Sequence, residues 1–323
     1  MKAICTRFFL HTLLASGLLA IPAWSQTAFD PSRASQAIRP DISAQPLLRD
    51  EPTGPRGLAD ENNFAISTPG DSDLGQQLIL KRQEKLQPFS VTLDSAEYFT
   101  DNAFDTHTDR RKDWFYVGGI SAGWQPRLSN RVYFDASLAQ HWFRYADFSE
   151  LDYEEGEALA GVIVVMPELW NTLWHLHYYY ERITQGMDNK PIYQTHTIRA
   201  GVQKNIIIDR LNSINISALA AWSVAASPSE LRRHEYSLFA AWNLRLFRQL
   251  FFTASYRLGY YDYLNLEDRE DWYHNFGVAL SYRPKDWLEL AVSWNYSLNR
   301  SNIDVFSYDA QLVGPAISLK AKF

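Results

Sequence analysis

A chain of 323 residues with a formal net charge of −6 and no clustered basic patch argues against a nucleic-acid partner. Its mean hydropathy of −0.31 excludes a bundle of lipid-embedded helices but not a barrel, whose strands show lipid only at every second residue. Aromatic residues make up 15% of the chain, with 11 Trp and 18 Tyr, and most of them follow Gln87, so the two ends are different materials.

Residues 1–25 have the form of a secretory signal peptide. Lys2 and Arg7 supply the positive start, Phe8 to Ile21 the apolar centre, and Ala23-Trp24-Ser25 a small-x-small cleavage site. The apolar run is too short for a membrane anchor, is interrupted by His11 and ends at Pro22. Cleavage after Ser25 removes Cys5, the only cysteine, which is not in a lipoprotein-type context. It leaves 29 basic against 37 acidic residues and no thiol, which suits an oxidising compartment and forbids a disulfide scaffold.

Residues 26–86 are expected to be a flexible periplasmic segment. Pro31, Pro40, Pro46, Pro52, Pro55 and Pro69 fall here, with few apolar residues to offset the entropy of ordering. Within it, Asp71, Ser72 and Asp73 cap a short predicted helix carrying Leu74, Leu78 and Ile79. A lead-in to the first strand is the favoured role for that helix, over a lumen plug or a dock for a periplasmic partner.

From Gln87 the apolar period switches to two. Ile214, Ile216, Ala218, Ala220, Trp222 and Val224 alternate with Asn215, Ser217, Leu219, Ala221, Ser223 and Ala225, and Leu288, Leu290, Val292, Trp294 and Tyr296 alternate with Glu289, Ala291, Ser293 and Asn295. About twelve strands are predicted, near 88–99, 113–125, 131–145, 155–166, 171–183, 192–206, 213–225, 233–247, 250–263, 272–283, 287–299 and 307–323. The fourth is the least regular, being almost continuously apolar from Ala158 to Met166.

Short connections (Pro126–Asn130, Pro167–Trp170, Ile207–Asn212, around Arg248, Pro284–Asp286) alternate with longer polar ones (Thr100–Lys112, Ala146–Glu154, Thr184–Pro191, Ala226–Arg232, Leu264–Asp271, Arg300–Phe306). That is the spacing of periplasmic turns and extracellular loops on an all-β, up-and-down transmembrane barrel spanning 87–323. The prolines between the first and last strands fall in these connections, where a missing N–H costs no ladder bond. Pro315 departs from this. Tyr308, Ala310 and Leu312 are out of phase with Ile317 and Leu319, which predicts a bulge near Gly314-Pro315. Trp114, Trp124, Trp174, Tyr180, Trp272 and Trp287 sit near predicted strand ends, as in the aromatic girdles of a membrane barrel.

The last strand has Ile317, Leu319, Ala321 and Phe323 on one face and Ala316, Ser318, Lys320 and Lys322 on the other, and it resembles the closing strand of Gram-negative outer-membrane β-barrels. The resemblance implies a cell outer-membrane location, lipid as surroundings and Phe323 as the signal that the barrel-insertion machinery reads. Tyr98-Phe99-Thr100-Asp101-Asn102-Ala103-Phe104 resembles the opening strand and Asp-Asn loop of the putative β-barrel porin families, which implies a porin-like fold without naming a solute.

On these phases Asp94, Asp135, His175, His177, Arg199, Glu235, Arg245, Arg257, Arg283 and Glu289 face a lumen, as do Lys320 and Lys322, and form the expected pore lining. Charges of both signs there either pair to rigidify a filled interior or line a water path. His175 and His177 share one face, but with no third ligand in view they read as polar wall rather than metal site. Asp152, Glu154, Glu155 and Glu157 lack calcium-loop spacing and read as a solvated loop. No His is followed two residues later by Ser, as the phospholipase type of barrel enzyme requires, and no cofactor is expected. The expected function is therefore passive, porin-like passage of small hydrophilic solutes. A structural or export-associated barrel and a barrel enzyme are the alternatives.

Overall fold

The computed structural model describes residues 87–186 and 190–323. The expected signal peptide, the periplasmic segment and the short helix at 71–85 lie outside the described residues.

Twelve antiparallel strands close into one barrel. They are β1 (Phe89–Thr100), β2 (Asp113–Trp124), β3 (Val132–Tyr145), β4 (Tyr153–Met166), β5 (Thr172–Gln185), β6 (Lys190–Ile207), β7 (Asn212–Ser227), β8 (Arg233–Arg245), β9 (Leu250–Tyr263), β10 (Glu270–Lys285), β11 (Leu288–Ser301) and β12 (Tyr308–Lys322). Each strand pairs with its neighbours in sequence, and β1 pairs with β12 to leave no free edge. This is the closed up-and-down architecture that the period-two pattern predicts. Phe89 N–H and Phe323 N–H donate to each other's carbonyls, at 3.4 and 2.9 Å, and finish the seam.

The alternation of side chains separates two environments. Outward on β7 and β8, Ile216, Trp222, Leu238 and Trp242 are exposed, while inward Asn215, Ser223 and Glu235 are buried. The outward rings gather at both rims. Phe89 stacks on Trp124 at 5.9 Å, and Trp124 meets Phe134 edge to face at 5.4 Å, near the rim that carries the start of β1 and the end of β12. Towards the opposite rim Phe99 meets Trp114 at 5.3 Å and Tyr260 meets Trp272 at 5.0 Å. Between them two outward Tyr–His pairs, Tyr178 with His196 and Tyr256 with His274, satisfy each other across neighbouring strands.

Three expectations change. Strands β5, β6, β7 and β10 run further than their alternation shows, so on the outer side only the connection 101–112 is long. Pro191 and Pro284 consequently lie within strands, each beside a shift of register, at Ile183/Thr184 and at Tyr282/Lys285. No bulge occurs at Pro315. The β11–β12 register runs unbroken from Leu288↔Leu319 to Asn299↔Tyr308, and the β1–β12 register is the same on both sides of a gap at Glu97 and Tyr98. The gap is a ladder bond that Pro315 cannot donate, not an inserted residue. The apparent phase slip arises because Tyr308, Ala310 and Leu312 are apolar yet point inward, where Tyr308 and Ala310 pack with Phe306. The irregular fourth strand has the same cause: Ile163 is fully buried inside, against Leu173, Tyr133 and Val165.

At the termini-bearing rim, Asp209 closes the turn between β6 and β7. Its Oδ1 accepts from the N–H groups of Leu211 (2.7 Å) and Asn212 (2.8 Å). The Leu211 N–H first, and the Asn212 side chain after it, hold the Asp209 carboxyl below the ordinary carboxylate range.

Candidate functional site

The interior is built from rows of residues that lie opposite one another across neighbouring strands. One row runs Asp135 (β3), Gly161 (β4), His177 (β5), Arg199 (β6), Ala221 (β7), Glu235 (β8). Gly161 and Ala221 interrupt the row of polar and charged residues, so a long side chain can lie across the strand beside it. His177 does this: its Nε2 reaches to 3.2 Å from Asp135 Oδ2 over the bare backbone of Gly161. Gln125 Nε2 donates to the other oxygen of Asp135, at 3.1 Å. His175 and His177 turn their Nδ1 atoms towards each other at 3.0 Å.

The remaining inward charges form further groups. Arg257 on β9 donates to Glu235 on β8, and Arg283 Nε on β10 lies 2.8 Å from Glu289 Oε2 on β11. Arg199 places its guanidinium 3.2 Å above the Tyr179 ring, and the Tyr179 hydroxyl donates to Glu157. Arg245 donates to the Arg248 carbonyl at the rim. Asp94, on β1, is partly exposed, as is Arg199, whereas Asp135, His177 and Glu235 are buried.

The acidic run near β4 is not a solvated loop. Asp152 accepts from the Tyr145 N–H at 2.7 Å, Glu154 pairs with Arg144 at 2.5 Å, and Glu155 and Glu157 lie on the inner face of β4. Glu157 stands opposite Glu181 in register, so like charges face each other on this wall. Glu155, Glu157 and Glu181 carry the parity of Gly161 and His177, the signal by which sequence reasoning could have found them.

Nearer the outer rim the interior turns aromatic. Tyr98, Phe115, Phe143, Tyr145 and Tyr153 are all buried, with Phe115 stacked on Tyr145 at 4.9 Å and Phe143 on Tyr153 at 4.1 Å. Such pairs add roughly 0.5–1.5 kcal/mol each beyond the area they bury. A separate aromatic group holds the loop residue Arg269, whose guanidinium is bound to Asp271 at 2.5 Å and lies 4.1 Å from the Tyr263 ring and 3.7 Å from the Phe306 ring. Among the described residues, no three His, Cys, Asp or Glu side chains converge on a metal position.

A closed twelve-stranded barrel with an apolar, aromatic-rimmed exterior and a charged interior defines an outer-membrane β-barrel, set in outer-membrane lipid. The fold is similar to that of an outer-membrane channel from Pseudomonas putida F1, with a TM-score of 0.52 and 9% identity, over 73% of this chain and 97% of that one. The NanC porin matches with a TM-score of 0.44 and 10% identity, over 71% of this chain and 100% of that one. The KdgM porin in complex with disordered oligogalacturonate matches with a TM-score of 0.39 and 11% identity, over 71% and 98%. No protein-family model matches the sequence, and no curated protein sequence matches it.

Proposed function

We propose that this outer-membrane barrel passes small hydrophilic solutes passively, without catalysing a reaction on them. The supporting observation is the reversal of polarity across the wall. Where Leu238 and Val292 meet lipid, the inner face near mid-strand carries Thr92, Ser121, Ser137, Ser217 and Ser255, all partly exposed. Hydroxyls can exchange hydrogen bonds with a hydrated solute and can turn to suit it. Residues Asp94, Arg199 and Arg257 add charge at partly exposed interior positions. Arg257 and Arg283 are matched by Glu235 and Glu289, and Glu155, Glu157 and Glu181 set acidic groups on the same wall as Arg199, so the interior carries both signs. In this proposal Phe323 serves assembly by the insertion machinery, and residues 26–86 meet a periplasmic partner.

The test is single-channel recording of the refolded full-length barrel in planar bilayers, with reversal potentials in a salt gradient. Discrete conductance, with a reversal potential that Arg199→Glu moves towards cation preference, supports passage. The buried aromatic belt around Tyr98 and Tyr153 favours a second reading, a structural barrel with a narrow outer mouth. Bilayers that stay silent although the barrel has inserted would decide for it.

A further inference from the structure

We propose that His175 and His177 form a two-histidine site for a divalent transition-metal ion, with Asp135 as the carboxylate behind it. The two side chains share the inner face of β5, and their Nδ1 atoms stand 3.0 Å apart. At that separation the nitrogens cannot both carry a proton: one donates and the other offers a lone pair.

The neighbours decide which. His177 Nε2 lies 3.2 Å from Asp135 Oδ2, and both side chains are buried, at 3% and 9% exposure. The contact is too poorly aligned for a hydrogen bond, but the charge of the carboxylate favours a proton on Nε2, which leaves Nδ1 to offer its lone pair to His175. Metal-binding histidines put one ring nitrogen on the ion and the other N–H on a carboxylate that fixes tautomer and orientation, and Asp135 is near enough to take that part once the ring turns to the ion.

The flanking strands make room for both rings. A Cβ on Gly161 would stand 2.6 Å from His177 Cδ2, and one on Gly201 would collide with His175 Nε2. Gly161 lies opposite His177 and Gly201 opposite His175, so the strand on each side gives up its side chain where a ring lies. His175 is partly exposed, which gives the ion access.

An ion would take the place of the proton shared between the two Nδ1 atoms. Metal–imidazole bonds are about 2.0–2.1 Å long, so two of them converging from nitrogens 3.0 Å apart meet at about a right angle. Adjacent positions of a square-planar or octahedral ion have that angle, and a tetrahedral one is wider. The geometry therefore fits Cu²⁺ or Ni²⁺ better than Zn²⁺, with water filling the other positions, and Cu²⁺ binds nitrogen ligands most tightly in the divalent series. Arg199, opposite His177, has its guanidinium over the Tyr179 ring, whose hydroxyl is bound to Glu157.

The test is equilibrium dialysis of the refolded full-length barrel against Cu²⁺, read together with its electron paramagnetic resonance spectrum. We expect one ion per barrel above the background of the His175→Ala/His177→Ala double variant, with hyperfine coupling to two imidazole nitrogens. Either single variant should lose that signature. Asp135→Asn should keep it while weakening binding about 10–100-fold. The shift in gel mobility on heating reports whether each variant has folded, and if His177→Ala fails to assemble, His175→Gln at the partly exposed ring serves in its place. Wild-type protein that takes up no more Cu²⁺ than the double variant would overturn the site, as would a two-nitrogen signature that survives in His175→Ala.

Discussion

The ring of Tyr98 on β1 lies against the bare backbone of Gly314 on β12. A Cβ on Gly314 would stand 2.8 Å from Tyr98 Cδ1 and would collide with the Glu97 carbonyl oxygen. The seam closes at this point because no side chain intervenes. Gly314→Ala should therefore destabilise the barrel by about 1–3 kcal/mol, the usual cost of overpacking a tight site. Gly156→Ala is the control, since its Cβ would meet the end of the flexible Gln140 side chain at 3.2 Å. Urea unfolding in lipid vesicles measures both. Equal stability of the two variants would count against a tight seam.

Phe323 continues the same seam with a side chain that is 66% exposed. Its two backbone hydrogen bonds to Phe89 involve no side-chain atom, so loss of the ring should affect recognition during assembly more than the finished fold. Deleting Phe323 should lower the yield of assembled barrel in the outer membrane. Phe323→Ala should do the same in cells while refolding normally in detergent, as followed by gel mobility before and after boiling. Normal assembly of both variants would remove Phe323 from the signal.

The two faces of the wall can be told apart chemically, because Cys5 is the only cysteine and lies in the expected signal peptide. In a barrel lacking residues 1–25, Ser217→Cys and Ser255→Cys should react with a polar thiol reagent through the lumen. Ile216→Cys and Val292→Cys, outward and exposed to lipid, should react slowly until detergent is added. The reverse order would mean a register shifted by one residue, which inverts every side chain.

Glu235 is buried and bound to Arg257, so removing the cation alone leaves a carboxylate without its hydrogen-bonded partner. Arg257→Ala should cost about 3 kcal/mol, towards the lower end for a buried pair because Arg257 is partly exposed. The double variant Arg257→Ala/Glu235→Ala should recover part of that loss. A double-mutant cycle in urea measures the coupling, and strictly additive losses would show that the pair does not act as one.

The legible part of this fold is the part governed by a two-way choice. Ile216 or Ser217 must face lipid or lumen, so strict alternation exposes the parity of every strand, and the inward parity of Arg199 or Glu289 follows from it. What the parity could not show is how dry the interior is at each height. Tyr308 and Ile163 point inward among aromatic and aliphatic neighbours, and their apolar character was taken for a slip of phase and for a doubtful strand. Contacts across two strands were equally hidden. His177 meets Asp135 only because the β3–β4 and β4–β5 registers both place Gly161 between them, and those registers depend on turn geometry at either end. Glu155 and Glu157 fall inside the predicted fourth strand, yet as part of one acidic run with Asp152 and Glu154 they read as a loop, because run composition hid their parity.

Acid should act on the turn between β6 and β7. Asp209 is ionised in its hydrogen-bonded role, and its folded value lies below the roughly 3.9 of a free aspartate. A depressed carboxylate stabilises the fold above its unfolded value, and that contribution is lost as pH falls through the folded value. Carboxyl-carbon NMR of the refolded barrel should find Asp209 titrating below the free-aspartate range, with the Leu211 amide shift moving in step. Titration at or above that range would refute the turn's hold on the carboxylate.

The two aromatic girdles have a consequence for the surrounding bilayer. Trp124 and Phe134 at one rim and Trp114 and Trp272 at the other mark the height over which the outer wall can meet hydrocarbon. A lone helix longer or shorter than the membrane can tilt to absorb a mismatch, at modest cost. Here the strand inclination is locked by ladder bonds around a complete circle, so the lipid must adjust instead. Each barrel should carry an annulus of compressed or stretched acyl chains. Two barrels of equal height share part of that annulus when they meet, and this draws them together in a membrane of unequal thickness without any contact between their side chains.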